Sequence, residues 1–131
     1  MDIEKIDIRI VLMPKNEMPY DTYDYYRRLP SGSLLITIAD TGNAIYNKLL
    51  IIHALIECFL CEIDGVKFED IDKFDMEFDK KHPGSMDEPG EDSDAPYKKE
   101  HLIANAVEAL ICACTGTSWK EYNDYLQEKH G

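Results

Sequence analysis

His53 and Glu57 lie four residues apart in LLIIHALIECFLCE, residues 49–62, a run that is otherwise almost wholly apolar. On a helix, four residues are about 6 Å of rise and a little over one turn, so both side chains point the same way. They share that side with Leu49, Ile56 and Leu60, which turns them inward or into a cleft. A buried ionised carboxylate without a partner is strongly destabilising, so something must neutralise Glu57. Two arrangements do so: a buried hydrogen bond from protonated His53, or a metal ion that takes both side chains. A nitrogen and an oxygen ligand at i and i+4 is also the geometry by which zincin helices hold their ion.

A metal needs a third ligand, and His101 is the strongest candidate. It falls in the first turn of a helix that follows an irregular acidic segment, HPGSMDEPGEDSDAP, residues 82–96. The plain alternative is a surface histidine beside Glu100. His82 sits in a junction and His130 at the terminus, which makes both weaker choices. The acids from Asp87 to Asp94 lack the spacing of a calcium loop. They form a solvated charge run, or they feed Asp92 toward the ion or its ligands.

The cysteines fit a different role. Cys58-x-x-Cys61 and Cys112-x-Cys114 lie within apolar helical runs, where free cysteine packs as a small hydrophobe. Reduced core cysteines are expected, ahead of a cysteine-rich metal site or redox chemistry. Cys61 lies about 12 Å of helical rise from His53, too far to share one ion. Asp40-Thr41-Gly42 matches the aspartic-protease triplet, but a helix follows it here, so Asp40 reads as a strand-to-helix cap. Neither a glycine-rich phosphate loop nor G-x-S-x-G occurs.

The elements that must position these groups follow from periodicity. Ile3–Met13 begins with alternation and ends at Pro14, a first strand. An aromatic arm, Tyr23–Arg28, the turn LPSG, and Ser33–Asp40 form a hairpin. From Ile45 the apolar spacing changes to three and four, predicting a helix over 43–62 with Asn43 or Thr41 as N-cap and Asp64-Gly65 as its end. A second helix is expected over Glu69–Lys80, burying Ile71, Phe74 and Phe78. A third runs over Tyr97–Cys114. A last one starts from the capping box Ser118–Glu121 and ends near Lys129. Strands precede helices, so the class is α+β, with about three strands in one antiparallel or mixed sheet followed by about four helices. Tyr20, Tyr23, Tyr25 and Tyr26 pack the sheet or form an aromatic contact surface.

Bulk properties bound the function. The 131 residues form one domain, 1–131, and a 44% hydrophobic content excludes a disordered chain. Fourteen basic against 26 acidic residues give a formal charge of −12, which opposes binding to nucleic acid and suits cations or a basic protein or peptide partner. No unbroken apolar run reaches a membrane span's length, and MDIEKIDIRIV does not read as a signal peptide. A cytoplasmic protein without membrane contact is expected.

The segments ADTGNAIYN, IHALIE and EPGEDSDAPYKKEH, with W-x-x-Y in the last helix, resemble a group of small uncharacterised phage and prophage-type proteins over residues 33–126. That group carries H-E-x-x-E on a helix after a D-T-G strand, then P-G-D-D-x-x-A-P-Y-x-x-E-H, and is similar to minimal zincin-like proteins. The resemblance implies a zincin-like core binding a divalent metal, with zinc as the ion and His53, Glu57 and His101 as ligands. Asp92 and Glu100 match the acids around the third ligand. Position 54 departs from the pattern: it is Ala54 where the group has Glu, the general base of zinc peptidases. Metal binding does not require that residue, whereas hydrolysis would need Glu100 or Asp92 in its place. The alternative is a non-enzymatic interaction module with a structural His–Glu pair.

Overall fold

The computed structural model describes residues 5–83 and 88–128. Three strands, β1 (Ile8–Met13), β2 (Asp24–Arg28) and β3 (Leu34–Ala39), precede four helices, α1 (Ala44–Asp64), α2 (Phe68–Lys81), α3 (Lys98–Thr115) and α4 (Trp119–Glu128). The sheet is mixed, in the order β1-β3-β2. β3 pairs parallel with β1 and antiparallel with β2, with Ile36 opposite both Ile10 and Tyr26. The α+β class and the hairpin follow the sequence reading. The first strand begins at Ile8 rather than Ile3, and residues 1–4 lie outside the described part.

β3 is the central strand because it is the most continuously apolar. Leu34, Ile36 and Ile38 are fully buried, and with Tyr26 of β2 they form the core with Leu49, Leu50, Ala54, Cys58 and Cys61 of α1. β2 presents alternate residues to that helix. Tyr26 reaches Glu57, and Arg28 makes a two-pronged contact to Glu62, Nε–Oε2 at 2.8 Å and Nη2–Oε1 at 2.7 Å. Asp24 lies on the same face, one alternation earlier.

The start of α1 is fixed by its side chains. Asn43 Oδ1 accepts from the N–H groups of Ile45 and Tyr46, which otherwise lack helical partners. Asp40 Oδ1 accepts from the Gly42 N–H and from Asn47 Nδ2, the capping role expected of the D-T-G triplet. Gly65, at φ 76°, adopts the left-handed conformation that closes the helix. By length and composition α1 can cross a bilayer, although its apolar runs are interrupted. In this structure it packs as the central helix against β2, β3 and α3, with Asn47, His53 and Glu57 among its buried residues.

α2 begins at Phe68 and buries Ile71 and Phe78, with Phe74 half-buried and Asp75 buried beside them. Before α3, the described part of the irregular segment contains a 3-10 turn, Pro89–Glu91. Residues 84–87 of that segment lie outside the described part. The Glu121 N–H donates to Ser118 Oγ, the expected N-cap of α4. Cys58, Cys61 and Cys112 are buried thiols, as expected of core cysteines. Cys114 is exposed: it falls two residues beyond Cys112, on the solvent side of α3.

Candidate metal centre

His53 and Glu57 of α1 face His101 of α3 in the interior, each less than a tenth exposed. The three side chains offer one ligand atom each within 4.8 Å of one another. The His53 Nε2 to Glu57 Oε2 separation is 2.8 Å, and His101 Nδ1 lies 2.9 Å from the same oxygen. Ligands bonded to one zinc at about 2 Å have comparable mutual spacing. The buried His53–Glu57–His101 group can therefore hold a metal ion.

The far side of each of these side chains is held as well. His53 Nδ1 contacts Glu108 Oε1, two helical turns beyond His101 on α3. His101 Nε2 lies 2.8 Å from Glu88 Oε2, and the Tyr26 hydroxyl donates to Glu57 Oε1 at 2.7 Å. Metal-ligating histidines characteristically give their other ring nitrogen to a carboxylate, which fixes ring orientation and raises ligand basicity. Gly90 closes the cradle. A Cβ there would stand 2.5 Å from His101 Cγ and 2.7 Å from its Nδ1, so only glycine lets the turn lie against the imidazole.

Without an ion, the same atoms form an alternating row, Glu108–His53–Glu57–His101–Glu88, in which each imidazole is charged. Burial opposes the charge on His53, but Glu57 and Glu108 hold its pKa well above the usual value. Burial opposes His101 too, yet its bonds to Glu57 and Glu88 push it up to about 10. Burial alone would raise Glu57, and the charge on His53 with the hydrogen bonds from both histidines brings it below the ordinary range. Glu88 is lowered as well, burial being outweighed by its bond from His101.

The group forms part of the wall of a cavity of about 130 Å³, which is also lined by Asp24, Tyr20, Asp72 and Asp75. Tyr20 donates to Asp72 and Asp75, and Tyr97 donates to Asp75 at 2.6 Å. Burial outweighs these bonds and pushes Asp75 up to about 7. Burial, followed by the charge on Glu57, does the same to Asp24.

The structure brings together His53, Glu57 and His101 and places the other two candidates elsewhere. Glu100 is buried but does not line the cavity, and its Oε2 has no hydrogen-bond partner among the described residues. Asp92 also stays off the cavity wall, and its Oδ1 accepts from the Asp94 N–H in a local turn. Ala54 is fully buried in the apolar core. The acidic segment does feed the site, but through Glu88 rather than Asp92. Glu108 carried the same signal as Glu57, a lone acid in the apolar run ANAVEALICA, at seven residues from His101. Asp24 and Tyr26 were readable as one face of a strand. Glu88 and Gly90 had no local signature, because their role depends on how the turn folds back onto α3. Comparison with family models, with curated proteins and with solved structures finds no match to this chain.

Proposed function

We propose that this chain is a divalent-metal-binding protein with His53, Glu57 and His101 as ligands and zinc as the resident ion. The observation that carries the reading is that three atoms converge while the opposite atom of each side chain is tied down by Glu108, Tyr26 or Glu88. Two imidazoles and one carboxylate are a donor set that suits zinc and leaves a further position for water or substrate. Bound there, the ion supplies Lewis acidity for hydrolysis. The chain's own residues hold the two imidazoles in one tautomer, keep Glu57 ionised and shape a cavity beside them. With Ala54 in the apolar core, the hydrolytic chemistry is degenerate relative to a zinc peptidase. We read the chain as a zincin-like protein of phage or mobile-element origin that retains the metal site. Three buried thiols suit a reducing compartment, in keeping with a cytoplasmic location.

Zinc titration of chelator-treated protein, followed by thermal unfolding, tests the reading. Wild type is expected to gain stability with one equivalent, as any ligand of the folded state confers. Glu57→Gln, which keeps the size but weakens the ligand, is expected to lose that gain. An equal gain in both proteins would remove Glu57 from the site.

One observation favours a second reading. The five acidic and imidazole groups are hydrogen-bonded to one another in a continuous row, as a structural buried network in a non-enzymatic interaction module would be. The acidic segment would then dock a basic protein or peptide. In that case Glu57→Gln lowers stability in zinc-free buffer and zinc has no effect on either protein.

A further inference from the structure

The cavity beside the metal group has an imbalance of charge that the site does not resolve. Besides Glu57, Glu88 and Glu108, its wall carries Asp24, Asp72, Asp75 and Asp21, the last paired to Lys15. No other lysine or arginine pairs with these acids among the described residues, and none lines the cavity.

Asp24 gives this imbalance a location. Its Oδ2 is almost inaccessible to solvent and has no hydrogen-bond partner among the described residues, whereas the other carboxylates on the wall hold tyrosines, histidines or, for Asp21, Lys15. A buried carboxylate without a donor is unfavourable, and it is relieved either by taking up a proton, as the upward shift of Asp24 allows, or by gaining a positive partner. Among the described residues, Asp24 belongs to no group of three or more histidine, cysteine or acidic side chains that could hold a metal, which disfavours an inorganic ion there. The cavity wall also carries aromatic and apolar side chains: Tyr20, Tyr23, Tyr25, Trp119, Leu50 and Ile71. Such walls suit the body of an organic cation, which aromatic faces also attract.

We infer that this cavity binds a ligand bearing an organic ammonium or guanidinium group, with Asp24 as its anchoring carboxylate and the tyrosine rings as its walls. Asp24 is not one of the proposed metal ligands, although these line the same cavity. The group can come from a small free amine or from a basic side chain of a peptide, since both present the same donor to Asp24.

Calorimetric titration of the full chain, as purified and after chelation, tests this. The ligands are n-butylammonium and ethylguanidinium chloride, 1-pentanol as the neutral counterpart, and acetyl-lysine amide as the peptide form. Either cation is expected to bind about tenfold or more tightly than 1-pentanol, in both preparations. Acetyl-lysine amide binding as well as butylammonium would place the natural group on a peptide, and its exclusion would point to a small amine; both support the inference. Asp24→Asn is expected to weaken cation binding about tenfold or more while leaving metal content unchanged. Equal binding of 1-pentanol by wild type would overturn the inference, and that comparison needs no variant. Unchanged cation binding by Asp24→Asn, or loss of metal from it, would also overturn it, the latter by making Asp24 a metal ligand. Absence of metal from wild type would count against the metal reading alone.

Discussion

At the residue scale the site is a contest between protons and a metal for the same nitrogens. The row Glu108–His53–Glu57–His101–Glu88 keeps both imidazoles charged, so zinc must displace two protons to bind. The pH behaviour follows from the directions of the shifts. A histidine raised above its ordinary 6.5 stabilises the fold fully below that value, and the contribution is lost as pH rises through the folded value, about 10 for His101. Glu57, lowered from 4.5, stabilises the fold above that value and loses its contribution as pH falls through the lower one. Asp75, raised to about 7, takes up a proton on folding, so it favours the folded state as pH falls from 7 toward 3.8. All three act together in metal-free protein between about pH 4.5 and 6.5. Its melting temperature should peak there and decline from pH 7 to 10. Zinc-loaded protein should diverge upward from that curve, because the ion takes the neutral imidazoles that high pH supplies. Thermal unfolding at pH 6 and pH 9, with and without zinc, makes the comparison; parallel curves would contradict it. Gly90→Ala tests the cradle. A methyl group 2.5 Å from the His101 ring must push the imidazole or the turn aside, an overpacking cost of about 1–3 kcal/mol. Zinc affinity in a competition titration with a chromophoric chelator should fall about tenfold or more.

At the element scale, α1 carries two of the proposed ligands and α3 the third, and each helix also supplies support to the other's side chains. His53 on α1 is held by Glu108 on α3, and His101 on α3 is held to Glu57 on α1. The helix ends were legible because caps are local: Asn43, Gly65 and Ser118 mark boundaries that capping side chains or a left-handed glycine dictate. The pair at 53 and 57 was legible for the same reason, since i and i+4 share a face whatever the rest of the chain does. The pairing of β1 parallel to β3 was not, because alternation specifies a strand and says nothing of its neighbour. Glu88 escaped notice for the opposite reason from Glu108. Its segment has no periodicity to exploit, whereas the pattern around Glu108 was present and unused. Asn43→Ala offers a control for this scale. Losing a cap that accepts from two N–H groups should cost about 1 kcal/mol of stability with zinc stoichiometry unchanged, as denaturant unfolding and metal analysis would report. A loss of zinc in that variant would mean that the start of α1 governs the site as well as the fold.

At the scale of the whole molecule, a small sheet of three strands leaves one face for α1, and α1 in turn presents its polar pair to α3. The acids in excess are not spread evenly: seven of them line the cavity beside the centre, and Lys15 pairs with one, Asp21. A concentration of negative charge in a low-dielectric recess raises the local concentration of cations and speeds their arrival. The effect is screened within a Debye length of about 8 Å at physiological salt. The rate of zinc association in stopped-flow should therefore fall as sodium chloride is raised, with dissociation much less affected. Equal association rates at low and high salt would contradict that assignment. The central claim itself is tested most directly by the metal content of the untagged protein, purified without added metal or chelator and measured by plasma mass spectrometry. The account predicts close to one zinc, or another divalent ion, per chain in wild type and a sharp reduction in Glu57→Gln. Metal-free wild type that also shows no thermal shift on adding zinc would contradict it, leaving His53, Glu57 and His101 as a buried hydrogen-bonded row.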